Sequence, residues 1–373
     1  MFRNQVPIGK IFGIQIGLDY SWFVVFALLT WLLATSYYPD EFKDWSPALY
    51  WSMGAATAIL LFASVLLHEL GHSVVALRFG VPVRAITLFI FGGVAQIAAE
   101  PPSAQAEFLI AIAGPIVSLV LGVLFYGLER VATGSEPLFG LAKYLSFINI
   151  ALVLFNLVPG YPLDGGRVLR AIIWGVTNNM RRATLVAASI GRFFGLMFIF
   201  FGVLQAFSGN IGGLWIAFIG WFLDNAATAQ AQQETIHGLL AGHRVSQAMR
   251  THCDSVPADV TLQQLVDEHV LGRGTRCVLV TQGNKTVGLM TVHRIKEVPR
   301  NEWATHTAAQ TMVPMDRLKR INPDAELWTA LEEMARDGVN QLPVMRNGEV
   351  LGMLGRDDVI NFLRTLQEVG MSR

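Results

Sequence analysis

The feature that most constrains this chain is an apolar run, residues 55–77, that contains His68, Glu69 and His72. It is long enough to cross a bilayer as a helix, which takes about 20 residues. Ionisable side chains in hydrocarbon cost roughly 3 kcal/mol each on insertion scales, so three of them need compensating partners. Residues four apart lie on one face of a helix, so His68 and His72 point the same way. With a glutamate beside the first imidazole, this arrangement predicts a zinc site, the alternative being a structural histidine pair.

Charge is distributed unevenly along the 373 residues. Only 15% of the chain is charged, against about 25% in soluble domains. The deficit lies before residue 232, so we predict a membrane domain over 1–232 and a soluble tail over 243–373. The net charge is zero and no basic patch stands out, so no nucleic-acid partner is indicated.

The membrane part contains six predicted spans, at roughly 18–38, 50–78, 106–128, 139–158, 184–207 and 212–230. The loops after the first, third and fifth spans are acidic or neutral, whereas the opposite loops carry most of the arginines. By the positive-inside rule, we expect a multi-pass protein of the cell membrane with both termini and the soluble tail in the cytoplasm.

A segment between the second and third predicted spans, residues 80–98, is too short and too interrupted to be a span. It is rich in β-branched residues, and Gly92 and Gly93 in its middle are expected to turn a hairpin. Non-helical backbone at membrane depth must be buried in protein or line a cavity. We therefore interpret the segment as a re-entrant β-hairpin beside the zinc, whose open edge would pair with an unwound substrate. An interfacial loop is the alternative.

The fourth span breaks at residues 159–166, where two prolines and three glycines interrupt the helix. The break allows Asp164 to turn back toward the second span. A catalytic zinc takes three protein ligands and one open position, and Asp164 is the best third ligand. Glu107 and Glu129 fit worse because they lie at span ends, and Asp224 fits worse because it sits in the last span without a neighbouring chain break. The alternative role of Asp164 is a helix N-cap.

Four motifs in this order resemble the site-2 protease family of intramembrane zinc metalloproteases. They are His68-Glu-Leu-Gly-His72, Phe91-Gly-Gly93, Ala113-Gly-Pro115 and Asn156-Leu-Val-Pro159 with Leu163-Asp-Gly165. The resemblance implies that one zinc ion per chain is held by His68, His72 and Asp164. It also implies that Glu69 is the catalytic acid and base, and that Asn156 lies near a membrane-protein substrate, together with the Gly92–Gly93 hairpin. One departure is Ser118, at a position where family members often carry asparagine.

The tail repeats itself at a period of about 64 residues, and neither repeat is large enough to make a good core alone, so the two should pair. Ser246-Gln-Ala-Met249 recurs as Ala309-Gln-Thr-Met312, and Val287-Gly-Leu-Met-Thr291 as Leu351-Gly-Met-Leu-Gly355. The pattern resembles a tandem pair of CBS domains, with repeats over 243–300 and 301–373.

The CBS resemblance implies binding of an adenine nucleotide (ATP, ADP or AMP) between the repeats, with Thr291 and Asp358 as candidate contacts, and a homodimer formed through the pair. The Gly-x-x-Thr-x-x-Asp signature is incomplete in both repeats, because Arg294 and Gly355 replace the aspartate and the threonine respectively. A purely structural CBS pair is the alternative.

The predicted fold class is a multi-pass α-helical membrane protein with about six transmembrane helices, a re-entrant β-hairpin and a cytoplasmic α/β tandem CBS domain. The predicted function is intramembrane zinc proteolysis of a membrane-protein substrate in contact with lipid. The alternative is a CBS-regulated membrane transporter, although the spans show no clear inverted repeat.

Overall fold

A computed structural model describes residues 5–90, 92–97, 99–251, 254–275, 277–283 and 285–370. The chain forms two compact units, residues 1–234 and 235–373.

Long helices make up most of the first unit. They are α1 (Tyr20–Leu32), α2 (Tyr38–Glu41), α3 (Pro47–Arg78), α4 (Ala104–Val131), α5 (Glu136–Asn156), α6 (Asp164–Thr177), α7 (Met180–Phe207) and most of α8 (Gly212–Leu240), whose last six residues belong to the second unit. A π-helical stretch, Leu33–Tyr37, joins α1 to α2. Side chains of Asp19, Ser46, Ser103 and Asn179 cap α1, α3, α4 and α7 by accepting backbone N–H groups of the first turn.

Five helical stretches of the described residues are long and apolar enough to cross a membrane. They are Tyr20–Glu41, Pro47–Arg78, Ala104–Val131, Glu136–Asn156 and Met180–Phe207. These five correspond to the first five predicted spans. The sixth predicted span lies within α8, which is not among the five, so it stays a prediction.

A four-stranded sheet completes the first unit, in the order β1 (Gln5–Ile11), β2 (Ile14–Asp19), β3 (Val83–Phe89) and β4 (Gly92–Ile97). β1 and β2 form an antiparallel hairpin, β2 pairs in parallel with β3, and β3 pairs antiparallel with β4. Ile14, Ile16 and Ile86 pack from the sheet against Leu70 of α3 and Ile110 of α4. This core fixes the β3–β4 hairpin beside α3, which carries both histidines, and beside α4.

The hairpin turn differs from the expectation. Gly92 and Gly93 are the first residues of β4, where they pair with Phe89 and Leu88, so the chain turns before them. The structure gives a steric reason for Gly93: a Cβ added there would lie 2.5 Å from Cγ of Glu69. The second glycine therefore serves the close approach of the strand to α3 rather than the turn.

Helix α4 is the centre of the helical packing, because it lies against α3, α5 and α6. Helix α6 also packs against α7. Consequently α4 is in contact both with the helix that carries His68 and His72 and with the helix that carries Asp164.

The second unit contains two similar sets of short elements. They are α9 (Val245–Ala248), β5 (Ser255–Pro257), α10 (Leu262–Leu265), β6 (Cys277–Gln282), β7 (Lys285–Thr291) and α11 (Val292–Lys296), followed by α12 (Ala308–Thr311), β8 (Val313–Pro314), α13 (Leu327–Asp337), β9 (Gln341–Arg346), β10 (Glu349–Gly355) and α14 (Arg356–Glu368). One sheet has the order β5-β6-β7-β8, and β9 pairs antiparallel with β10.

The two sets exchange their first helices. Val245 of α9 is buried in a core with Leu327, Leu342 and Val359, which belong to the second set. Ala308 of α12 is buried with Val256 and other residues of the first set. Each core therefore needs a helix from the other repeat, which ties the two repeats into one unit.

Candidate active site

Two imidazoles meet inside the first unit. His68 and His72 lie on α3, four residues apart, and are 6% and 4% exposed. Their Nε2 atoms are 3.1 Å apart. The helical spacing places both rings on one face, as the sequence indicates.

Asp164 brings a carboxylate to the same point. It is the first residue of α6, and its Oδ2 lies 3.1 Å from Nε2 of His68 and 3.2 Å from Nε2 of His72. In the described part of the chain, these three residues form the one group of at least three His, Cys, Asp or Glu side chains that could hold a metal ion. Their ligand atoms all lie within 4.8 Å of one another. Residues 96 positions apart thus converge.

The outer ring nitrogens define which atoms face the centre. Nδ1 of His72 lies 2.6 Å from the backbone carbonyl of Ile110. A carbonyl only accepts, so this Nδ1 donates, and the Nε2 of the neutral ring presents a lone pair. Nδ1 of His68 lies 2.9 Å from the hydroxyl of Ser118, on the same helix as Ile110. Ser118 therefore occupies the position of the family asparagine as a hydrogen-bond partner of the first histidine.

This donor set fits a zinc ion. A lone pair of His72, the Nε2 of His68 and an anionic oxygen face one another in a buried space, which is unfavourable unless a cation lies between them. Two imidazole nitrogens and a carboxylate oxygen are a common protein ligand set for catalytic zinc, and outer hydrogen bonds to ligating histidines are the rule.

Gly114 provides the space in which the two imidazole rings and the carboxylate meet. A Cβ built on Gly114 of α4 would lie 2.1 Å from Nε2 of His72 and 2.6 Å from Nε2 of His68. Any side chain would enter the space where the three ligand atoms converge. The Ala113-Gly-Pro115 motif carries the family resemblance, but its steric role is visible only in the structure.

Glu69 lies next to the ligand group, between α3 and the sheet. The backbone N–H of Ala95, on β4, lies near its carboxylate. Gly93 of the same strand lies directly against the Glu69 side chain. The strand therefore holds this carboxylate beside the histidines by a backbone contact.

Of the other predicted substrate residues, Gly93 lies against Glu69, and Asn156 belongs to a different element. Gly92 and Gly93 begin β4, and Asn156 is the last residue of α5. Asn156 is half-buried. Within the described residues its side chain makes no hydrogen bond to protein, so its amide is free to bind another molecule.

The predicted nucleotide residues lie at the starts of α11 and α14, Thr291 as an N-cap and Asp358 in the first turn. The Thr291 hydroxyl caps α11 by accepting the N–H of Arg294. The Asp358 carboxylate accepts the N–H of Gly355 at 2.7 Å and pairs with Arg250 at 2.9 Å. Asp358 is thus already engaged by protein groups, and a ribose would share or displace the arginine.

Two of the rejected acids are paired with arginines. Fully buried Glu107 is bound by Arg167 and Arg170 of α6, and Asp224 pairs with Arg192 at 3.2 Å. The Glu107 cluster escaped the sequence reasoning, although a buried acid in an apolar helix is itself a signal of function.

Comparison with known proteins decides the family. The model of peptidase family M50 matches residues 56–135 and 130–200, and a CBS domain model matches residues 312–365. A Synechocystis protein named "Putative zinc metalloprotease sll0528" is 35% identical over 97% of this chain and 96% of its own.

The chain belongs to peptidase family M50. A second relative of this M50 enzyme, named "Putative zinc metalloprotease Rip3" in Mycobacterium tuberculosis, is 34% identical over 97% of this chain and 93% of its own. Among solved structures, the site-2 protease from Methanocaldococcus jannaschii is 31% identical and matches 61% of this chain and 95% of its own, with a TM-score of 0.44. The M50 chain is thus a zinc metalloendopeptidase of the site-2 protease type, a multi-pass membrane protein that carries a CBS region, and the transporter alternative is not favoured.

Proposed function

We propose that this M50 enzyme cleaves a peptide bond in or near a transmembrane segment of a membrane protein, as in regulated intramembrane proteolysis. His68, His72 and Asp164 hold one zinc ion per chain, and Glu69 is the catalytic acid and base. The observation that carries the proposal is the approach of Asp164 Oδ2 to within 3.1 and 3.2 Å of the two Nε2 atoms. Two of these ligands lie on α3, a helix of membrane-spanning length.

Bound zinc supplies a Lewis acid that polarises the scissile carbonyl and makes water a stronger acid. Glu69 takes the proton from the attacking water and delivers it to the leaving amine, a role that requires a carboxylate within hydrogen-bond reach of both. The approach of β4 at Gly93 and Ala95 restricts the Glu69 side chain to one side of the ligand group. The hydrogen bond from Nδ1 of His72 to the Ile110 carbonyl turns the Nε2 of this ring toward the ligand group.

A helical substrate must unwind before its backbone can be attacked. β4 pairs with β3 on one edge, and within the described sheet it has no neighbour on the other. An extended substrate would add to this edge through backbone hydrogen bonds. We assign Gly92, Gly93 and Asn156 to this step, with the hairpin re-entering the lipid-embedded part of the molecule.

The soluble unit would respond to a ligand or mediate dimerisation. We propose CBS repeats over 243–300 and 301–373 after a membrane domain over 1–232, with ATP, ADP or AMP contacting Thr291 and Asp358. We also propose that α8 supplies a sixth span and that both termini and the CBS pair are cytoplasmic, as the arginine distribution favours.

Substrate trapping tests the proposal. Membranes of cells that express the wild type or Glu69→Gln are compared by quantitative mass spectrometry, with Glu129→Gln as a control acid of the same helical unit. Full-length single-pass proteins should accumulate with Glu69→Gln alone. Purified wild type in liposomes should then cut the accumulated protein within or beside its span. Cleavage confined to soluble regions would contradict the proposal.

A further inference from the structure

A cluster of one buried acid and two arginines joins α4 to α6. Glu107, in the first turn of α4, is 0% exposed, and its two oxygens bind different arginines. Oε1 accepts from Nε of Arg167 at 3.3 Å, and Oε2 accepts from Nη2 of Arg170. Arg170 is 7% exposed, and its guanidinium lies 5.6 Å from the ring centre of Tyr161. One carboxylate thus fixes two points of α6 against α4.

On α6, the two arginines of the cluster lie on the same side of the helix as Asp164, the proposed third ligand. Asp164, Arg167 and Arg170 follow one another at intervals of three residues, so they share the side of the helix that faces α4. Arg167 is also close enough to Glu69 to interact with it electrostatically.

On α4, Glu107 lies on the same helix face as the residues that contact the two histidines. Glu107, Ile110, Gly114 and Ser118 are separated by three, four and four residues, the spacing of one helix face. Ile110 and Ser118 hold the two rings, and Gly114 leaves the space between them. The same face of α4 therefore contacts both histidines and anchors the helix of the aspartate.

The Asp164 carboxylate is not held in place by any described side chain outside the proposed ligand group. Among the described residues, its hydrogen-bonded partners are His68 and His72, which are ligands themselves. Its position must therefore be set by where α6 lies. We infer that Glu107 is a positioning residue, which acts through Arg170 and Arg167 to fix α6 and thereby the distance from Asp164 to the two histidines. This inference rests on the proposed metal site.

Loss of the Glu107 charge should move the helix rather than unfold the protein. A buried Arg170 guanidinium and a half-buried Arg167 guanidinium are costly without their anion, and the structure relieves that cost by letting water reach them. The shift of α6 would carry Asp164 away from the imidazoles. We expect the loss of metal affinity to match that from removing a direct hydrogen-bond partner of a metal ligand, about tenfold to a hundredfold.

The test uses Co²⁺ as a spectroscopic probe of the metal-free, full-length protein in detergent. Wild type should bind one Co²⁺ and show visible absorption bands of low-coordinate cobalt. Glu107→Gln and Arg170→Gln should each weaken Co²⁺ binding at least about tenfold and alter these bands. The variant that combines Glu107→Gln with Arg170→Gln should lose no more Co²⁺ affinity than either single variant, because the two residues act as a unit.

Asp224→Asn is the matched control, since it removes an ion pair between α7 and α8 that has no contact with the ligand group. It should bind Co²⁺ as the wild type does. If Glu107→Gln fails to fold, the Co²⁺ affinity and bands of Glu107→Asp are measured instead. This substitution keeps the charge but shortens the side chain by one methylene, so it should also weaken Co²⁺ binding. Wild-type affinity and bands in Glu107→Asp, or in a folded Glu107→Gln, would overturn the inference. Failure of the wild type itself to bind one Co²⁺ would instead overturn the metal site.

Discussion

Gly114 lies directly against His72: a Cβ built on the glycine would stand 2.1 Å from Nε2 of the ring. No side chain tolerates that distance, and Gly114 is in the middle of a long packed helix that cannot move away. The position of the glycine therefore decides whether both imidazoles can face a common centre.

Gly114→Ala should accordingly lose zinc while remaining folded. We expect the zinc content of purified protein, measured by plasma mass spectrometry, to fall from one per chain to near zero. Gly127→Ala is the control on the same helix, because nothing lies within 4 Å of a Cβ added there. Full zinc content in Gly114→Ala would mean that the ions bind elsewhere.

Ser118→Ala should weaken zinc binding without abolishing it. The hydroxyl lies 2.9 Å from Nδ1 of His68, so its loss frees the ring to rotate. We expect an increase of about tenfold to a hundredfold in the zinc dissociation constant, measured by competition with a chelator. Ser146→Ala is a suitable control, because this buried serine binds the Gly122 carbonyl instead. Equal effects of both substitutions would indicate a general packing defect.

Glu69→Gln should keep zinc and lose activity. The side chain is not one of the three converging ligands, and glutamine has nearly the same shape but cannot accept the proton. We expect one zinc per chain and a loss of at least about a hundredfold in cleavage rate of a reconstituted substrate. Substantial activity with full zinc content would remove Glu69 from the mechanism.

Much of the site is accessible to sequence reasoning because its chemistry is local. The four-residue spacing of His68 and His72 fixes their common face, and the broken helix before Asp164 leaves few alternatives for a third ligand. The cost of ionisable groups in lipid then makes a metal the simplest explanation.

The parts that sequence reasoning missed depend on contacts distant in the chain. β1 and β2 are short and glycine-containing, and β2 is stabilised by parallel pairing with β3 far along the chain. The partnership of Glu107 with Arg170 joins two helices and has no local signature. The role of Gly93 against Glu69 is likewise invisible in a Gly-Gly pair that resembles a turn.

Nucleotide binding by the CBS pair is testable on the full-length protein. If ATP or AMP binds the folded state alone, a concentration of about 100 times its dissociation constant adds roughly 2.7 kcal/mol of stability and raises the melting temperature. Asp358→Asn should reduce this shift, because the carboxylate would bind the ribose. Asp324→Asn, which alters an exposed ion pair of the same repeat, should not. No shift of the wild type at millimolar nucleotide would favour the dimerisation role.

The central claim is that two imidazoles of α3 and the carboxylate of α6 hold one zinc ion. X-ray absorption at the zinc edge measures this shell directly in the purified, detergent-solubilised protein. We predict two imidazole nitrogens and an oxygen shell, all at about 2.0–2.2 Å, with the imidazole signal reduced by half in His72→Ala. A shell dominated by sulfur at about 2.3 Å, or a wild-type spectrum in His72→Ala, would contradict it.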